Sequence, residues 1–227
     1  MTGHVLDRPV WHALTGRQQE CAVGAPPALR FAPELGLFAA AADDGAASLE
    51  ALAALCPAGG TIGLVETEEW PVPPGLTLDR SALCHQMLAE HPTPPAGTEF
   101  DVLQLGEEDA PEMLALATLT RPGPFFARTH RLGNFIGVRI DGRLAAMAGE
   151  RLHVGRYREV SGVCTHPDFR GRGLAGALMP IVAARMIARG ETPFLHSYAD
   201  NHAAIALYER LGFRLRRAVT FTVLTRD

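Results

Sequence analysis

Apolar and polar residues keep a regular rhythm along the second half of the chain and an irregular one along the first. From residue 98 onward, two-residue alternation and short apolar runs predict strands over 100–105, 135–140, 144–152, 158–165, 194–198 and 219–224. Ala- and Leu-rich stretches predict helices over 107–118, 173–189 and 203–211, and 125–132 reads as helical or irregular. The order is β, α, α, β, β, β, α, β, α, β. Asp141-Gly142, between the second and third strands, is a tight-hairpin signal.

The first half gives shorter elements. Strands are expected over 29–31, 36–41 and 61–66, with an Ala/Leu-rich helix over 46–55. Pro71, Pro73, Pro74 and Gly75 form one break, and Pro92, Pro94, Pro95 and Gly97 another. Proline continues neither helix nor ladder, so the second break is the expected boundary between an α/β segment (1–97) and a larger domain (98–227).

Composition narrows the function. The 227 residues are 47% hydrophobic and 20% charged, which suits a soluble globule with a sizeable core. Apolar runs such as 38–42 are too short to span a bilayer, and no basic patch followed by an apolar stretch marks the N-terminus. A net charge of −4 disfavours nucleic acid as a partner, because phosphate backbones are gripped mainly by Lys and Arg. Cys21, Cys56, Cys84 and Cys164 are dispersed without a CxxC pair, and HExxH is absent. The expectation is reduced thiols, a cytoplasmic location and no metal.

The chemistry concentrates in Val163-Cys164-Thr165-His166-Pro167-Asp168-Phe169-Arg170-Gly171-Arg172-Gly173-Leu174-Ala175-Gly176. A strand, a proline stop, a glycine-rich turn and a helix start follow one another. Such a turn lets backbone amides reach a ligand, and a helix N-terminus offers unpaired N–H groups to a pyrophosphate. The Gly-Lys-Ser/Thr ending of a P-loop is missing, as is GxGxxG. Downstream, Asn201 is placed to cap a helix carrying Ala204, Leu207, Tyr208 and Leu211 on one face, with Gly212 to end it.

Arg170-x-x-Gly173-x-Ala175 resembles the coenzyme A signature of the GNAT acetyltransferase superfamily. Asn201-x-x-Ala204-x-x-Leu207-Tyr208-Glu209-x-Leu211-Gly212-Phe213 resembles its C-terminal helix motif. The wording from Glu159 to Pro167 is similar to the glycine-N-acyltransferase-like branch, in which a degenerate GNAT-like half precedes the catalytic one. The resemblance implies an α/β (α+β) fold with a mixed, largely antiparallel sheet splayed at its centre, flanking helices, and a non-catalytic N-terminal half. It also implies acetyl-CoA as cosubstrate and a small-molecule amine or amino-acid-like acceptor. The backbone at Val163, Cys164 and Thr165 would pair with pantetheine. Arg170, Gly171, Arg172, Gly173, Leu174, Ala175 and Gly176 would hold the pyrophosphate, Asn201 would touch the pantetheine, and Tyr208 would protonate the departing thiolate.

A proton acceptor is also needed, because an alkylammonium cannot attack. Glu159 is the first candidate, sharing a strand face with Ser161, Val163 and Thr165, and Glu150 is the second. For each, the alternative is simple pairing with an arginine such as Arg151 or Arg158, and water could carry the proton instead. Arg121 and Arg128 are candidates to pair with an acceptor carboxylate. Pro180, inside the helix after the glycine turn, predicts a kink near Gly176 or an unusual register. A non-catalytic acyl-CoA-binding regulatory module is the competing function. Oligomeric state is not encoded, and a homodimer stays open.

Overall fold

The computed structural model describes residues 3–227. The chain opens with α1 (Pro9–Leu14), whose proline sits in the first turn, where a missing N–H costs nothing. Strands β1 (Ala22–Ala25), β2 (Ala28–Phe31) and β3 (Ala39–Ala41) form a small antiparallel sheet. Helix α2 (Ala46–Ala54) covers it, burying Ser48, Leu49, Leu52 and Ala53. Then come β4 (Thr61–Glu66) and β5 (Thr77–Leu88).

Past the proline-rich connection lie β6 (Val102–Leu105), α3 (Ala110–Thr120), β7 (Phe135–Ile140), β8 (Arg143–Val154) and β9 (Tyr157–Thr165). Helix α4 (Leu174–Ala188), β10 (Thr192–Tyr198), α5 (His202–Arg210) and β11 (Arg214–Thr225) complete the chain. Asp141 and Gly142 both take positive φ, 51° and 77°, closing the β7–β8 hairpin as their sequence predicts.

The large sheet runs β4-β11-β5-β10-β9-β8-β7-β6, and β9–β10 is its parallel pair. This sheet takes strands from both sides of residue 97, the expected boundary. Strand β5 lies before the proline break, yet it pairs antiparallel with both β10 and β11 from beyond it. β4 likewise borders β11. One sheet therefore spans both halves, and β5 is its one strand that the hydrophobic pattern missed, as the pattern also missed α1 and β1 outside it. Its first seven positions are exposed or half-buried, so little alternation betrays it.

Alternation elsewhere assigns the two faces. On one, Ile136, Val138, Ala146 and Ala148 pack with Leu178, Met179 and Val182 of α4. On the other, Phe135 and Met147 pack with Met113 and Leu116 of α3. Burying the larger of these side chains, Ile, Val, Leu, Met and Phe, supplies about 1.5–3 kcal/mol each. Pro180 is buried inside α4, and the helix continues through it to Ala188. Its missing N–H leaves the Gly176 carbonyl without an intrahelical donor.

One irregularity creates the site. Between Ser161 and Cys164, β9 carries one residue more than β8 does between Gly149 and Met147. Gly162 sits in this bulge at φ 64°, and a Cβ there would lie 2.8 Å from the Phe135 ring. Glycine satisfies both demands. Parallel pairing of β9 with β10 stops at Glu159 opposite Phe194, while β10 stays paired with β5 as far as Tyr198. The sheet forks there.

Candidate functional site

Two depressions flank the C-terminal end of β9. The first is the turn between β9 and α4, lined by Thr165, Phe169, Leu207 and residues 170–176. Gly171 and Gly173 adopt φ 79° and 76°, the left-handed region that glycine enters freely. Gly173 provides no side-chain cap, so the first-turn amides of α4 remain available to a ligand. Arg170 and Arg172 are exposed, the latter 5.4 Å over the Phe169 ring. Among the described residues, no acidic side chain lines this depression. Unpaired amides, a helix N-terminus and two cations suit a pyrophosphate.

The second depression fills the fork. Val160, Ser161, Gly162 and Val163 form one wall, and Leu195, His196, Ser197 and Tyr198 the other. Tyr208 and Asn201 close one end from α5, so α5 serves both depressions, Leu207 in one and Tyr208 in the other. Asn201 caps α5 as expected, accepting a hydrogen bond from the Ala204 amide at 3.3 Å. The Tyr208 hydroxyl makes no hydrogen bond among the described residues, and burial pushes its pKa above the ordinary 10.0. A neutral, unencumbered phenol facing a pocket is ready to donate a proton. Cys164 turns its side chain into the core beneath α3, where burial raises its thiol to about 11. That excludes a thiolate nucleophile.

Neither carboxylate is placed to act as base. Glu159 is fully buried at the base of the fork, bound bidentately by Arg151 at 2.8 and 2.8 Å and by His196 Nδ1 at 2.8 Å. Burial, the largest influence, pushes its pKa up. The Arg151 charge and the hydrogen bonds from Arg151 and His196 outweigh it and hold the group at about 2. A carboxylate so acidic, and absent from the pocket lining, is a poor proton acceptor. The bulge also breaks the expected shared face of Glu159, Ser161, Val163 and Thr165. Glu150 is buried against Arg158 at 3.1 Å and Arg189 at 2.8 Å, also outside the lining.

The acceptor-side arginines need the same correction. Arg121 and Arg128 are exposed and outside the pocket, whereas Pro122, Gly123 and Pro124 line it. Sequence reasoning passed over Arg151 and His196 as site residues, and it placed no site residue in the N-terminal segment. Phe38, Val65 and Cys84 from that segment join Phe221 in the pocket lining. The sequence carried no signal for them, since each comes from a separate element.

Comparison with known proteins agrees with this geometry. The model of the FR47-like protein family matches residues 136–222. An acetyltransferase of Pectobacterium atrosepticum is 44% identical over 57 residues, which is 24% of this chain and 40% of that relative's length. A GCN5-related N-acetyltransferase from Kribbella flavida, 17% identical, shares the fold at a TM-score of 0.60, over 91% of this chain and 89% of its own. A crystal structure from Novosphingobium aromaticivorans, described as an acetyltransferase from the GNAT family, is 50% identical. It superposes with a TM-score of 0.92 over 99% of this chain and 100% of its own. With that likeness end to end, the forked sheet and the glycine turn have their explanation: the chain belongs to the GNAT family of acetyltransferases.

Proposed function

We propose that the protein is an acetyl-CoA-dependent N-acetyltransferase acting on a small amine or amino-acid-like acceptor. The observation that carries this reading is the placement of α5 between a phosphate-ready turn and a forked pocket, with Tyr208 at the junction. Acetyl-CoA would supply an activated thioester that a neutral amine attacks directly. Amides of residues 171–176, with Arg170 and Arg172, would hold the pyrophosphate. The opened edge of β9 at Val163, Cys164 and Thr165 would pair with the pantetheine, with Asn201 beside it. A β9 amide near Val163 would donate to the carbonyl oxygen as charge develops. Tyr208 would protonate the departing thiolate. With Glu159 and Glu150 both held by arginines, water in the pocket would carry away the ammonium proton.

Residues 1–97 act in this reading as a non-catalytic companion that completes the sheet and the far wall of the pocket. That role, with the wording from Glu159 to Pro167, supports placement in the glycine-N-acyltransferase-like branch. The four cysteines are free, which suits a reducing cytoplasm.

Thiol release from acetyl-CoA across a panel of amines and amino acids tests the proposal. Turnover with at least one acceptor supports it. Tight acetyl-CoA binding with no turnover across the panel would replace it with an acyl-CoA-binding module.

A further inference from the structure

We infer that the acceptor carries a carboxylate and an apolar body, and that Arg151 binds the carboxylate. The inference rests on the acetyltransferase reading and deepens it. Arg151 is 9% exposed, yet it lines the fork pocket. Its Nε and Nη2 donate to the two oxygens of Glu159. That consumes one edge of the guanidinium. The other edge, presenting N–H groups from Nη1 and Nη2, has no hydrogen-bond acceptor among the described residues. A planar two-donor edge left free at a pocket wall matches a carboxylate in geometry and charge.

The surroundings point the same way. The Phe38 ring lies 4.6 Å from the Arg151 guanidinium and fixes its plane. Phe38, Val65 and Phe221 give this end of the pocket an apolar wall, with Phe38 and Phe221 5.9 Å apart. Arg80 sits 5.6 Å from both the Tyr198 and the Phe221 rings, adding a second cation beside two lining residues. No Asp or Glu lines the pocket, and Asp200, the neighbour of Asn201 in sequence, is exposed outside the lining. A second ammonium on the acceptor would therefore meet cations without a counter-charge. A polyamine is disfavoured, and an apolar amino acid fits. Its amine would point along the fork toward Tyr208.

Matched reaction products test this without needing turnover. Titration calorimetry on the full chain, with and without saturating CoA, compares N-acetylleucine with N-isopentylacetamide, which lacks only the carboxylate. N-acetylputrescine serves as the cationic probe. N-acetylleucine should bind about 10–100-fold more tightly than N-isopentylacetamide, the ratio expected for a charge-assisted pair, and N-acetylputrescine should bind most weakly. Equal affinities, or a preference for the cation, would overturn the inference. Arg151→Lys keeps a charge for Glu159 but loses the two-donor edge, so the preference should shrink toward unity. A preference unchanged in that folded variant also overturns it. If the double variant Arg151→Gln/Glu159→Gln folds, it should show no preference. If the parent does not bind acetyl-CoA while the carboxylate preference persists without CoA, the acetyltransferase reading fails, and with it the acceptor assignment, and only a carboxylate site at Arg151 remains.

Discussion

The phosphate-ready turn and the fork pocket lie side by side but are built in opposite ways. All but one residue of the turn's lining comes from 165–176, with Leu207 the exception. The pocket draws its lining from positions as far apart as Phe38 and Phe221. The turn needs only local conformations: two left-handed glycines and a helix start. The pocket exists because a bulge separates two strands, a buried ion pair sits at their junction, and an N-terminal segment walls off the far side. The turn should thus tolerate distant changes and fail by single local ones. The pocket should couple its shape to the stability of the whole sheet.

The largest expected effect is on the pocket's junction. Glu159→Gln leaves Arg151 buried without its anion and should destabilise the fold by about 3–5 kcal/mol in urea denaturation. A loss under about 1 kcal/mol would break the contrast, making the junction as local as the turn. In the parent, the folded pKa of about 2 lies below the ordinary 4.5. The contribution of this carboxylate is therefore complete above about pH 4.5 and is lost as pH falls toward 2. Glu159→Gln should flatten that acid limb of the stability curve. Its pH–rate profile near neutrality should keep the shape of the parent's, as expected if Glu159 is not the base.

Next comes the turn. Gly173→Glu forces an L-residue to φ 76° and aims a negative charge at the phosphates, so acetyl-CoA affinity should fall about 100-fold or more. The melting temperature should fall by only about 2–8 °C. An unchanged dissociation constant in titration calorimetry would remove the pyrophosphate assignment. Tyr208→Phe tests the junction between the two sites. Turnover should drop by about tenfold or more, with acetyl-CoA affinity nearly intact, since the ring and its contact with Phe213 remain. Parent-like turnover would make the hydroxyl a packing group. The smallest effect belongs to Arg170→Gln with Arg172→Gln. Both side chains are exposed, so affinity should weaken only about threefold, and less at high salt.

The same local-versus-distant contrast governs what could be read from the sequence. The turn's residues were legible because spacing, glycine and a helix start occur within one short stretch. Strands such as β4 and β7 were legible because apolar runs end at clear breaks. β5 was not, because seven of its positions face solvent or its edge, and its partners lie more than a hundred residues downstream. Glu159 was identified as a site residue from its strand face alone. Its role changes because Arg151 and His196 reach it from β8 and β10, a convergence that no linear pattern encodes. The pairing of Glu150 with Arg158, by contrast, was available from neighbouring strands.

The position of β5 also orders events during synthesis. It leaves the ribosome early, but β10 and β11, which flank it, follow more than a hundred residues later. Until Arg214–Thr225 emerges, one edge of β5 has no ladder partner. Closing a loop of that length costs only slowly rising entropy, yet the wait is long at translation speed. A chain lacking β11 carries every residue of the glycine turn beside a sheet still open at one edge of β5. A complete lining of the fork pocket, which includes Phe221, unlike a complete lining of the glycine turn, reports that β11 has arrived.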